Sequence, residues 1–168
     1  MKRFGLAGWS GAGKTTLMVK LLPELTGRGF TVSTVKHAHH NFDIDQPGKD
    51  SFRHRAAGAT EVLIGSARRW ALIHELREAP EPDLDELVQR MAPVDLVLVE
   101  GFKREGHDKI EIHRVANGKP LLAPDDPRIV AVASDQPLAG LTLPRLDLDD
   151  VTAIADFILG HCGLGLRR

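Results

Sequence analysis

Apolar and polar positions along this chain switch repeatedly between a two-residue and a 3.6-residue period, and the switches mark its elements. Residues 3–8, "RFGLAG", form a short apolar run closed by glycine. The run feeds a glycine-rich loop and then "KTTLMVKLLPELTGRG", where Leu17, Leu21, Leu22 and Leu25 recur at helical spacing and Gly27 and Gly29 supply the stop. That order is strand, loop, helix. Pro23 falls inside the helical pattern, where a missing donor predicts a kink or an early end. "FTVSTVKH" is β-branched and aromatic and predicts a second strand, which completes a βαβ unit.

A polar stretch with a Pro-Gly turn follows, "HAHHNFDIDQPGKDS", and "DSFRHRAAGA" predicts a short helix ending at Gly58. "TEVLIG" and "RWALIHEL" read as two adjacent strands, and "PDLDELVQRMA" has helical spacing. "VDLVLVEG" is continuously apolar, the pattern of a strand covered on both faces. "KIEIHRV" alternates, "RIVAVASD" is a buried-type strand, and "DDVTAIADFILGH" is a helix capped by Asp149 or Asp150. The alternation of strands and helices predicts an α/β fold with a mainly parallel, helix-covered sheet, its ligand site at the carboxyl ends of the central strands. Residues 8–15, 100–103 and 134–135 are then expected to converge on one crevice.

Composition narrows this further. A length of 168 residues, 42% apolar and 27% charged, suits one compact globular domain over residues 1–168. A net charge of −1 gives no basic field for nucleic acid or an anionic membrane, so phosphate recognition must be local. A single cysteine excludes an intramolecular disulfide, and no apolar run reaches the roughly 18 residues of a membrane span. A cytoplasmic setting is expected.

Gly8, Gly13, Lys14 and Thr15 satisfy GxxxxGK[ST] between a strand and an amphipathic helix, the context that gives the motif its meaning. Glycines let successive backbone N–H groups turn inward around phosphate oxygens, and the helix points its positive end at the anion. The nucleotide-binding set is therefore Gly8, Ser10, Gly11, Ala12, Gly13, Lys14, Thr15 and Thr16, with Lys14 on the β and γ phosphates and the Thr15 hydroxyl on Mg²⁺. The metal also calls for a carboxylate at a neighbouring strand end. In "DLVLVEGFK", Asp95 and Glu100 are five residues apart, roughly 16 Å when extended, so only one can serve. Glu100 stands at the loop's end of its strand; Asp95 reads as a capping acid. Lys103 is either a phosphate or partner contact or a solvated lysine.

These residues lie in longer motifs, "GWSGAGKTTL", "VKHAHHNFDIDQPGKDSFRHRAAGA", "DLVLVEGFK" and "KIEIHR" through "RIVAVASD", and with them the sequence resembles the MobB family of molybdopterin-guanine dinucleotide biosynthesis adaptors. The resemblance spans most of the chain. It implies a P-loop NTPase fold, GTP and Mg²⁺ as ligands, slow GTP hydrolysis at most, and a homodimer. It also implies a partner, the separate MobA-type guanylyltransferase that joins GMP to molybdopterin, and contact with molybdopterin or its guanine dinucleotide.

Two departures stand out. The guanine-reading NKxD tetrapeptide is absent; Asp135 in "VASDQP" either pairs with the guanine edge in its place or caps its turn. The lysine near the start of the loop that related GTPases carry is also absent, the variable positions being Trp9, Ser10, Gly11 and Ala12. His37, His39 and His40 precede Asp43, Asp45, Asp50 and His54, so a metal-delivery GTPase is an alternative, weakened by the absence of nearby cysteine. A switch-like loop fits better, with Asp45 or Asp50 meeting Mg²⁺ through water and Lys49, Arg53 or a histidine meeting a pterin phosphate. Arg53 and Arg55 read equally as a solvated face. A small-molecule kinase or synthetase is the enzymatic alternative; Arg104 lies in a segment short for a lid. "RWALIHEL" and "KIEIHRV" are apolar enough to suggest pairing between two chains.

Overall fold

A computed structural model describes residues 1–38, 42–102 and 105–165; His39, His40, Lys103 and Arg104 lie outside the described residues. The chain divides into two compact units, Met1–His37 with Val88–Arg168, and Ala38–Leu87.

The larger unit is a six-stranded, wholly parallel sheet. It contains β1 (Lys2–Ala7), β2 (Val32–Lys36), β5 (Leu96–Glu100), β6 (Lys109–His113), β7 (Ile129–Ser134) and β8 (Arg145–Asp147), in the order β2-β5-β1-β6-β7-β8. The first βαβ unit is present, but β5 lies between its two strands, so on that side the strand next to the glycine-rich loop is β5 and not β2. The edge strand β8 has only three residues, too few for periodicity to reveal.

Helices α1 (Lys14–Gly27) and α4 (Val151–His161) cover one face. Leu17, Leu21 and Leu25 of α1 and Ile154, Ala155 and Ile158 of α4 share a core with Phe4, Leu6, Leu98, Ile110, Ile112 and Ala133. Asp150 caps α4 by accepting from Ala153 N–H at 2.9 Å. Helix α1 runs past Pro23 to Gly27, so the expected early end does not occur. Val19, four residues before it and holder of the carbonyl deprived of a donor, sits at an exposed position, where water can serve that oxygen.

The other face is polar at its centre. Lys109, Glu111 and His113 alternate with the core isoleucines of β6, yet all are buried. Glu111 accepts from the N–H groups of Leu122 and Ala123 at 2.8 and 2.9 Å, and the Lys109 ammonium reaches Glu105 O at 3.1 Å and Asp126 at 3.3 Å. Each carboxylate or ammonium thus has charge-assisted partners, which makes its burial tolerable. Strand β6 also has β1 and β7 hydrogen-bonded along its two edges, which removes "KIEIHRV" as a strand for pairing between chains.

The smaller unit holds α2 (Asp50–Ala56) and an antiparallel hairpin, β3 (Glu61–Gly65) with β4 (Trp70–His74); α3 (Leu84–Gln89) spans the return to the larger unit. The pairs Leu63↔Leu72 and Gly65↔Trp70 share one hairpin face, and Leu63, Trp70 and Leu72 are all exposed. Arg55 organises this unit. Its guanidinium meets Asp43 at 2.8 Å, Asp45 at 2.9 Å and Glu75 at 3.1 Å, so it is an ion-pair centre and not one of a row of solvated charges. Arg53 does fit the solvated description, being largely exposed.

His107 packs over Gly5, whose absent side chain leaves room for the ring. Burial first, then the charges of Lys109 and Arg3, push its pKa down to about 4. The folded state therefore holds a neutral imidazole, while the unfolded chain takes up a proton below the ordinary value of about 6.5. Stability from this neutral ring is complete above pH 6.5 and is lost as pH falls toward 4, by an amount on the order of 3 kcal/mol. Urea unfolding across that range is expected to show a shallower pH dependence for His107→Phe, which keeps a ring and removes the titration, than for the parent chain.

Candidate functional site

The chain leaves β1 through a loop whose glycines hold conformations that side chains disfavour: φ is 141° at Gly8, 80° at Gly11 and 100° at Gly13. At Gly8 a second constraint applies, since a Cβ there would stand 2.5 Å from the Ile112 carbonyl oxygen of neighbouring β6. Gly13, left-handed, sits at the N-cap of α1 with no side-chain cap and no acidic residue in the first turn. The first amides of α1 and its positive end thus stand at the loop without a side-chain anion of the helix's own.

Lys14 folds back over the loop, its ammonium donating to the carbonyls of Gly8 and Trp9 at 3.0 Å each. The Thr15 hydroxyl donates to Glu100 at 3.0 Å. Parallel register brings Glu100 level with Leu6 on one side and Lys36 on the other, and Lys36 approaches its carboxylate at 3.6 Å. Residues 85 positions apart therefore meet at the two places where a hydroxyl and a carboxylate would share one divalent cation. Gly101 follows with φ 91°, and a Cβ there would stand 2.8 Å from that of His37. His37 in turn stacks on Phe102, ring centroids 5.0 Å apart, which fixes the chain just beyond Glu100. At the far end of the strand, Asp95 accepts from Thr31 N–H at 2.8 Å and from its hydroxyl at 2.7 Å, a capping acid as expected.

Of the other loop positions, Ala12 is buried and turns back to Trp9 O, Ser10 offers its carbonyl to Asn117 at 3.3 Å, and Thr16, the third residue of α1, is exposed. Asp135 follows β7 but does not cap its own turn, where Gln136 N–H meets Ser134 Oγ at 3.3 Å; one of its oxygens accepts from Val115 N–H at 3.1 Å, and the other faces Arg114 at 3.7 Å. Asp45, in the smaller unit, is buried and has both oxygens on Arg55. Among the described residues, no group of three or more His, Cys, Asp or Glu side chains is arranged to hold a metal ion. His39 and His40 fall outside that statement.

Pattern reading did not find Arg114, Asn117 and Pro120. The indole N–H of Trp9 donates to Pro120 O at 2.8 Å, and Arg114 lies over Gly13. All three follow β6, and only the sheet order puts that segment beside the loop. No local spacing signals it.

Fold and site together define an α/β protein with a parallel sheet and a GxxxxGK[ST] loop at the carboxyl end of a central strand. More narrowly, the chain belongs to the MobB family: residues 4–135 match the model of "Molybdopterin guanine dinucleotide synthesis protein B". It is 46% identical to a molybdopterin-guanine dinucleotide biosynthesis adapter protein of Escherichia coli over 91% of this chain and 89% of that one. The Haemophilus influenzae protein of the same name is 45% identical over 92% of this chain and 85% of that one. A crystal structure described as molybdopterin-guanine biosynthesis protein B superposes with a TM-score of 0.75 at 31% identity, covering 95% of this chain and 99% of the other.

The loop's geometry makes a stability contrast testable. Gly29 also has positive φ but open space around it, so Gly29→Ala should cost about 1 kcal/mol from backbone strain alone. Gly8→Ala adds the collision with Ile112 O and is expected to cost about 2 kcal/mol or more, read from denaturant midpoints of both variants.

Proposed function

We propose that this chain acts in molybdopterin guanine dinucleotide biosynthesis as a cytoplasmic adaptor that holds GTP and Mg²⁺ on residues 8–16 beside a separate guanylyltransferase. The adaptor role follows from membership of the family and the names of its relatives. The observation that carries nucleotide binding is the meeting of Thr15 with Glu100 next to Lys14 and the unacidified start of α1. In this reading Lys14 exchanges its two carbonyl partners for β and γ phosphate oxygens. Thr15 and Glu100 take Mg²⁺ directly or through water, and Lys36 balances the carboxylate's charge.

Glu100 is held between a hydroxyl and an ammonium, which suits it to the metal and poorly to abstracting a proton from water. Slow hydrolysis at most belongs to this reading through the family resemblance. Membrane insertion is no part of this reading, and among the described residues no helix is long and apolar enough to cross a bilayer. The exposed pair Leu63 and Leu72 beside Trp70 supports a homodimer, since an apolar hairpin face gains by being covered. Guanine rather than adenine is the base proposed on the family resemblance, and the pterin product or precursor would be met jointly with the transferase.

Calorimetric titration with GTP and ATP, with and without Mg²⁺, tests this. Mg²⁺-dependent binding that prefers GTP is expected, abolished in Lys14→Ala and with its Mg²⁺ dependence weakened in Glu100→Gln. Phosphate release by the isolated protein is expected to be slow; rapid multiple turnover without a transferase would defeat the adaptor reading.

A further inference from the structure

We propose that Arg114 is a second cation for the nucleotide's phosphates, supplied in cis from the end of β6, and that Asp135 is its positioning residue. The inference rests on the nucleotide-binding reading above and names a group that the loop motif does not contain.

Strand β6 lies against β1, Ala7 level with Glu111, so the chain leaving β6 runs beside the phosphate loop. The position where Gly13 lacks a Cβ is 3.3 Å from Arg114 Nε, 3.7 Å from Nη2 and 4.0 Å from Cζ. The guanidinium therefore packs against the backbone at which α1 begins. Two links hold the segment there: Asn117 donates to Ser10 O at 3.3 Å, and the Trp9 indole to Pro120 O at 2.8 Å.

Charge adds to this. Arg114 packs where the positive end of α1 begins, α1 has no acidic residue of its own in the first turn, and the Glu100 carboxylate is engaged on the Thr15 hydroxyl. A guanidinium at that place strengthens the attraction for an anion. Asp135 answers one edge of Arg114 only, at 3.7 Å through Nη1, and the Arg114 side chain remains about a third exposed. Guanidinium carries five donors in a rigid fork, so Nε and Nη2, the nitrogens nearest Gly13, are the ones available to phosphate oxygens.

The same geometry changes the meaning of Asp135. Its second oxygen accepts from Val115 N–H, which fixes the carboxylate facing Arg114. Reading a guanine edge would take both oxygens away from these partners. A residue that holds Arg114 acts alike on every nucleotide, whereas a base reader discriminates GTP from ATP.

Binding of GTP, GDP, GMP and ATP to the full chain, compared in Arg114→Gln, Arg114→Lys and Asp135→Asn, separates these roles. Arg114→Gln is expected to weaken GTP and GDP about tenfold or more, as loss of a charge-assisted contact predicts, and to flatten the salt dependence of GTP affinity. Arg114→Lys keeps the charge but loses the fork, and should recover part of the GTP affinity. Asp135→Asn should weaken GTP and ATP by the same factor. Arg114→Gln within twofold of the parent, Arg114→Lys as weak as a folded Arg114→Gln, or Asp135→Asn losing GTP with ATP unchanged would each overturn the proposal while leaving nucleotide binding intact. A parent chain that binds no nucleotide would overturn the nucleotide reading and this role with it.

Discussion

Everything at the site depends on how the chain turns out of β1. Three glycines in left-handed or related conformations curl the backbone between the strand and α1, and at Gly8 the neighbouring strand leaves no room for a side chain. That turn places the first amides of α1 at the carboxyl end of the sheet, the geometry a polyanion needs. It also forces close neighbours on either side. Strand β5 delivers Glu100 to Thr15, and the exit of β6 delivers Arg114 to Gly13. Both contacts together require β1 to lie between β5 and β6.

A second feature follows from the central position of β6. A strand between β1 and β7 is covered on both faces, yet Lys109, Glu111 and His113 stand on the face away from α1 and α4. The burial of Glu111 is offset by backbone N–H donors from residues 122 and 123, and that of Lys109 by the acid Asp126. These bonds tie the segment after β6 down onto the sheet. The same segment carries Arg114, Asn117 and Pro120 to the loop, so the polar face of β6 and the site share one structural support.

Much of this was open to pattern reading. The helical spacing of Leu17, Leu21 and Leu25, the apolar run of β5 and a cap at Asp149 or Asp150, which the structure places at Asp150, rest on interactions within a few residues or on burial of the strand. That Glu100 and not Asp95 meets Thr15 was legible, because Glu100 stands at the loop's end of its strand and Asp95 at the other. The three-residue β8 and the Arg55 centre were not legible, the first for want of length and the second because its partners are spread from residue 43 to residue 75.

The sequence by itself determined the strand–loop–helix, the α/β class, the place of Glu100 at the loop's end of its strand and the family, because these depend on spacing along the chain and on residue chemistry. Only the tertiary structure decided which strands are neighbours. The order β2-β5-β1-β6-β7-β8 inserts β5 inside the first βαβ unit and sets β6 against β1, and strand order is fixed by competition among buried faces, not by any local period. On that order depend the burial of "KIEIHRV" within its own sheet, the pairing of Asp135 with Arg114, and the presence of an arginine over the glycine-rich loop.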